Sequence, residues 1–284
     1  MSTTAMEAPR WPLIPLVALM VIGFVVPCLV LVAMSVTGGQ PDQLFHFNLD
    51  FSRYEKLNGG YFGKVILSTM AVSAAVATIT SLLAYPVALF LARSTSRFSQ
   101  VYFVIVFTPV AVGMNMLTLG WMLILGRAGL LNSVLMGIGL IDRPLPLLYN
   151  VFSVIVGLVH VTFTFSVLPI EAVIRNIDPA LEKAARNLGA SRFQTFLRVT
   201  LPLSLEGVSA GFLIVFMQTC GAFVLPLLLG GQNITMLPVA IWEAVATSDD
   251  RALAAVLSVV LLVVALLILF VQLRFFTARK ALFS

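Results

Sequence analysis

The sequence predicts an all-α protein, a polytopic transmembrane helix bundle of about six spans, on three observations. Apolar residues make up 60% of the 284 residues and charged residues 10%, against roughly 25% charged in a soluble globular domain. The apolar residues gather into six long runs free of Asp, Glu, Lys and Arg. The basic residues, which give a net charge of +5, fall between those runs. That placement is membrane topology rather than a nucleic-acid surface.

Each run is long enough to span. A hydrocarbon core about 30 Å thick needs roughly 20 apolar residues in helical form, because a helix satisfies its backbone polar groups within one segment. The runs are Trp11–Val36, Val65–Ala92, Val101–Leu125, Leu145–Ile170, Gly207 to about Leu229, and Ala252–Leu273. The first follows Arg10 in the manner of a signal peptide. Its uncharged stretch exceeds the usual apolar region of about 7 to 15 residues, so it reads as a retained span. Pro86, Pro109, Gly113 and Pro226 are positions where a span bends or loosens.

The whole chain, 1–284, reads as a single transmembrane domain with a core of about 65–275. An even number of spans puts both termini on one side. Arg10, Arg93, Arg97, Arg175, Lys183, Arg186, Arg192, Arg198, Arg274, Arg279 and Lys280 lie on that side; Arg53, Lys56, Lys64, Arg127, Arg143 and Arg251 lie opposite. The positive-inside rule then places both termini in the cytoplasm.

The charged link between the fourth and fifth spans is the most informative segment. From Asp178 to Pro202 it reads DPALEKAARNLGASRFQTFLRVTLP. Asp178 and Pro179 form a helix start, since a carboxylate accepts from free first-turn amides and proline suits the first helical position. Leu181, Ala184, Ala185 and Leu188 follow helical spacing. Gly189 sits where a helix ends in the left-handed conformation. Ser191 and Gln194 form a capping box for a second helix, with Phe193, Phe196, Leu197 and Leu201 as its apolar stripe. Pro202 marks the start of the fifth span. The segment is a helix, a glycine turn and a helix on the cytoplasmic face.

With that spacing the segment resembles the EAA loop of ABC-type importer permeases, roughly E-A-A-x3-G-x9-I-x-L-P. Ala184, Ala185, Gly189, Leu201 and Pro202 match in type and spacing. Val199 stands for the isoleucine, and Lys183 stands where the motif has its glutamate, with Glu182 one residue earlier. Leu83–Arg93, Leu119–Leu135 and Gly221–Gly231 are similar to the spermidine/putrescine-type branch of the same family. The resemblance implies the type I ABC importer permease fold and an inner-membrane location. It also implies a coupling loop, about 178–200, that docks on a separate ATPase through Glu182, Lys183, Ala184, Ala185, Gly189, Leu201 and Pro202. Implied partners are a second permease subunit of homologous but different sequence, two ATPase subunits and a solute-binding protein received by the outer loops. ATP and Mg would be used by the ATPase, with no cofactor bound by this chain. The implied solute is a polyamine, with another small organic cation, an amino-acid-like compound, a phosphonate or ferric iron as alternatives.

Other chemistries find less support. The stretch NGGYFGKV at 58–65 fails as a P-loop, because Gly59 is one residue too close to Gly63 and Val65 stands where Ser or Thr would hold Mg²⁺. An ion-coupled transporter would carry costly carboxylates within its spans, and the six runs hold none. His46 and His160 make no enzyme-like cluster, Cys28 and Cys220 make no pair, and no metal site is expected. His160, Asn115, Gln218 and Thr219 are intramembrane polar residues placed to line a translocation path or to bond between helices.

Overall fold

A computed structural model describes residues 13–37, 50–55, 57, 60–94 and 98–283. Arg10, Trp11, Asp42, His46, Lys56, Asn58, Gly59 and Arg97 lie outside the described residues. The elements are α1 (Leu13–Val36), α2 (Ser52–Glu55), α3 (Gly60–Arg93), α4 (Phe98–Val112), α5 (Met114–Leu125) and α6 (Leu130–Gly137). After them come α7 (Val151–Asn176), α8 (Pro179–Asn187), α9 (Arg192–Thr195), α10 (Leu201–Cys220), α11 (Leu237–Ala246) and α12 (Arg251–Phe283). Two π-turns, Phe196–Thr200 and Pro226–Gly230, complete the order, and no strand occurs among the described residues.

Six helical segments have the length and apolar character to cross a membrane: Pro15–Val36, Gly60–Arg93, Met114–Gly137, Val151–Asn176, Arg192–Cys220 and Arg251–Val271. The second span starts earlier than Val65, at Gly60, and three further differences from the sequence reading have a local cause. The stretch Val101–Leu125 is not one helix, because Gly113 at φ +84° ends α4 and starts α5. The fourth helix starts at Val151 rather than Leu145, where Asn150 and Ser153 form a capping box. The fifth starts before Gly207 and stops at Cys220, with Leu229 in the following π-turn.

The chain forms two compact units, Met1–Asn58 with Ile241–Val260, and Gly59–Ala240 with Leu261–Ser284. In the first, the end of α1 is tied to α2: the Asp50 amide donates to the Val36 carbonyl at 2.7 Å, and Ser35 and Tyr54 share a 2.8 Å hydroxyl bond. Arg53 of α2 pairs with Asp250 at 3.3 Å, and Asp250 caps α12 by accepting from the Leu253 amide. The apolar side chains of α1, such as Leu19, Ile22, Phe24 and Leu29, are exposed on all sides, as suits a lipid-facing helix.

The second unit is built on α3, α7 and α10. Two apolar clusters hold it: Val76, Leu158, Val215 and Leu225 toward one end, and Ala84, Ala88, Ile170 and Ile174 toward the other. Between them along α3 lie buried Thr80 and Ser81, with Ser81 facing Ser166 of α7. Small residues set the spacing, as is usual where helices must approach closely in lipid. A Cβ on Gly207 would stand 2.7 Å from the Pro169 carbonyl oxygen and 2.9 Å from the Ile170 Cα. At the far end, hydroxyls staple the segment after α10: Ser68 donates to the Thr235 carbonyl, Thr69 accepts from the Leu237 amide, and Ser153 donates to the Leu229 carbonyl.

Backbone atoms have no side-chain freedom with which to yield. Gly207→Ala is therefore expected to destabilise the protein by about 1–3 kcal/mol through overpacking. Gly120→Ala, with nothing within 4 Å of the new methyl, is expected to be neutral or to stabilise by up to about 1 kcal/mol. Thermal unfolding midpoints of the two variants in one detergent check the contrast.

Candidate functional site: the loop between α7 and α10

The loop folds from local signals. The Asp178 carboxylate accepts from the Ala180 amide at 2.8 Å, and Pro179 opens α8. Gly189 adopts φ +88°, a conformation that costs a β-branched residue heavily. The Gly189 and Ala190 amides return to the Arg186 and Ala185 carbonyls, closing the helix end. Ser191 and Gln194 then cap α9 reciprocally at 3.2 and 2.9 Å.

The second helix does not stop at Pro202. From Arg192 the chain runs through α9 and the π-turn into α10, and the Leu201 amide reaches back to the Phe196 carbonyl. Proline has no N–H to give, and the wider π-turn places Pro202 in the first turn of α10 without ending the rod. Thr195 and Thr200 are buried, Phe196 and Leu201 are half-buried, and Phe193 and Leu197 stay exposed, so only part of the expected stripe turns inward.

One ion pair fixes this loop to the bundle. Arg93, the last residue of α3, donates to Glu182 at 2.9 Å and to the Ile177 carbonyl at 3.1 Å. Thr200 also donates to Glu182, at 3.1 Å. One carboxylate thus joins α3, α8 and the π-turn. Tyr85 adds a second link, with its hydroxyl 2.7 Å from that of Ser204 and its ring edge-on to Phe196. A cleft of about 350 Å³ beside the pair is lined by Arg93, Glu182, Arg186, Arg192 and Phe196. Lys183 and Ala184 face outward, Ala185 is half-buried, and Leu188 and Phe193 are 89% and 69% exposed. The tip therefore presents an apolar, small-residue surface that the chain itself leaves uncovered.

The intramembrane polar residues do not converge. The Trp121 indole donates to His160 at 3.2 Å with the rings edge-on, which gives that histidine a packing partner. Asn115 is exposed on the first turn of α5, and Thr219 is fully buried with no partner for its hydroxyl among the described residues. Gln218 opens into a cavity beside the α4–α5 break. Sequence reasoning missed Arg93, counting it only as a topology signal. It also missed Asn132, whose buried side chain bonds to Gly126 and Leu145 and closes the link after α5.

Residues 82–280 match the family described as "Binding-protein-dependent transport system inner membrane component". The Spermidine/putrescine transport system permease protein PotB of Haemophilus influenzae is 28% identical over 88% of this chain and 87% of its own length. The protein of the same name from Escherichia coli is 34% identical over 66% of this chain and 67% of its own. A chain in the crystal structure of a bacterial alginate ABC transporter in complex with an alginate pentasaccharide-bound periplasmic protein superposes with TM-score 0.76. It covers 93% of both chains at 20% identity, a likeness of fold.

Removing the Arg93 charge leaves Glu182 in a site where it is only 19% exposed. A double-mutant cycle of Arg93→Gln and Glu182→Gln is expected to give a coupling of about 1–2 kcal/mol. Amide exchange at Ala184–Asn187 should speed up about tenfold in Arg93→Gln. Unchanged exchange in that variant would show the pair to be dispensable for holding α8.

Proposed function

The chain belongs to the family of binding-protein-dependent transport system inner membrane components, as the permease of an ABC-type importer, and on that premise we propose that it imports polyamine. It is a transport subunit and not an enzyme. The observation that carries the substrate reading is the 28–34% identity to permeases named for spermidine and putrescine. Other solutes handled within the same family are the second reading.

In the proposed assembly a second, homologous permease completes the pathway, and two ATPase subunits use ATP and Mg on the cytoplasmic side. A solute-binding protein meets the outer loops. Both termini lie in the cytoplasm, consistent with eleven basic residues on their side against six. Residues 178–200 dock on the ATPase. Ala184 and Ala185 allow close approach, Gly189 sets the angle between α8 and α9, Lys183 faces out for an acidic partner, and Leu201 and Pro202 carry the motion into α10. Glu182 serves a different end, holding α8 to α3 through Arg93.

Gly189→Val forces a β-branched residue into φ +88°. Uptake of labelled spermidine by cells is expected to fall at least tenfold in this variant and in Ala185→Leu, with membrane insertion unchanged. Full uptake with both variants would sink the coupling role. Wild-type cells that take up neither spermidine nor putrescine would instead overturn the substrate.

A further inference from the structure

The cleft beside the Arg93–Glu182 pair carries more positive charge than the pair accounts for. Three guanidinium groups line it, Arg93 from α3, Arg186 from α8 and Arg192 from α9, against the one carboxylate of Glu182, an excess of two positive charges. Glu182 is already engaged by Arg93 and Thr200. Arg186 and Arg192 are exposed and form no ion pair among the described residues, and the buried Nε of Arg93 has no hydrogen-bond partner among them. A cleft lined by one sign of charge concentrates counter-ions. Its volume of about 350 Å³ lies within the range of small-ligand sites, about 300–1,000 Å³. Its position narrows the choice of anion. Arg93 ends the Gly60–Arg93 span and Arg192 begins the Arg192–Cys220 span, so the cleft lies where two spans leave the apolar layer. Leu89 and Phe196 make part of its wall apolar. Beside Leu89, Phe90 is half exposed and edge-on to Tyr102, a residue type that gathers at headgroup depth. Arg186 follows Glu182 by one turn, on the face of α8 turned to the bundle, whereas Lys183, Ala184 and Leu188 are exposed at the tip. The cleft is therefore behind the tip rather than on it.

We propose that this cleft is a phosphate-binding site at the membrane surface, filled by the headgroup of an anionic lipid. Guanidinium forks match phosphate oxygens in pairs and keep their charge at any physiological pH. Arg186 and Arg192 supply those forks, and Leu89 and Phe196 meet the glycerol and the first methylenes of the chains. A soluble phosphate offers the same charge but leaves the apolar wall uncovered. A zwitterionic headgroup brings its own cation, which the excess positive charge of the cleft repels. The phosphate, held by one arginine on each side of Gly189, braces α8 against α9, and Arg93 extends the brace to α3. Basic pockets at the cytoplasmic surface meet an anionic leaflet. The choice of the inner leaflet rests on the orientation proposed above; the cleft and its charge do not.

The test is lipid retention by the complete transporter, stripped of lipid in detergent and offered equal amounts of phosphatidylglycerol and phosphatidylcholine before native mass spectrometry. Wild type should retain phosphatidylglycerol at least fivefold over phosphatidylcholine. Arg186→Gln combined with Arg192→Gln should lower that retention at least fivefold, and Arg186→Lys combined with Arg192→Lys should keep at least half of it. Arg198→Gln removes an exposed arginine of the same loop that does not line the cleft, and should leave retention unchanged. The absence of a preference in wild type overturns the site, as does undiminished retention in the double glutamine variant. An equal loss in Arg198→Gln overturns it too, since the effect then belongs to the charge of the loop at large. Inorganic phosphate in tenfold excess separates the sources: retention that persists supports the lipid, and full displacement overturns the lipid in favour of a soluble phosphate. A double glutamine variant that keeps its lipid but loses the ATPase overturns the proposal and assigns the arginines to that protein contact. Should the double variant not be recovered, Arg192→Gln alone decides, with at least a twofold drop expected and wild-type retention overturning the site.

Discussion

Hydrocarbon offers a peptide group no hydrogen-bond partner, and that single constraint orders the rest of this structure. It makes every long apolar run helical, and it makes each departure from the helix conspicuous. At two places where backbone leaves the α-helical ladder in the Gly59–Ala240 unit, side chains compensate. The segment after α10 is stapled by the Ser68, Thr69 and Ser153 hydroxyls. The link after α5 is closed by Asn132. The break at Gly113 has no such staple and opens on a cavity.

The same logic explains how the coupling motif tolerates its altered glutamate. Glu182 stands one residue before the motif position, which turns its carboxylate about 100° around α8 relative to residue 183. From there it faces the bundle, and Arg93 and Thr200 meet it. Lys183 takes the outward position. The Glu182 charge thus holds α8 to α3, and the exposed side of the loop carries Lys183 with small and apolar residues such as Ala184 and Leu188. An internal pair that is half shielded from water holds position more firmly than an exposed one, whose worth is about 0–1 kcal/mol.

Much of this was legible in the sequence, for identifiable reasons. Asp178-Pro179, Gly189 and Ser191-x-x-Gln194 act within one or two helical turns, so their partners are near in sequence and the structure has each as read. The spans follow from composition and length alone. Arg93 and Glu182 are separated by 89 positions, and no local pattern joins them. The continuous helix from Arg192 to Cys220 was hidden by Pro202, which reads as a boundary unless a π-turn absorbs the missing donor. Gly113 was marked as a weak point, but a single glycine does not reveal whether its helix merely bends or ends.

That continuous helix relates the two ends of the proposed mechanism. Arg192–Cys220 is 29 residues long, about 40 Å at 1.5 Å per residue. Its first turn belongs to the coupling loop and its last turn carries Gln218. The π-turn is the one place along it where a push at the tip could be absorbed, and it is clamped by the Tyr85 ring on Phe196 and by Thr200 on Glu182. In the proposed coupling, a displacement of the tip is passed along α10 rather than lost in the turn, and through Arg93 to α3 as well. The opposite wall of the cavity, at Val110 and Gly113, belongs to α4 and the break and has no bond to the coupling loop among the described residues. Val110 and Gly113 on that wall and Gln218 on α10 line one cavity, so in the proposed coupling a shift of α10 against the wall alters its width.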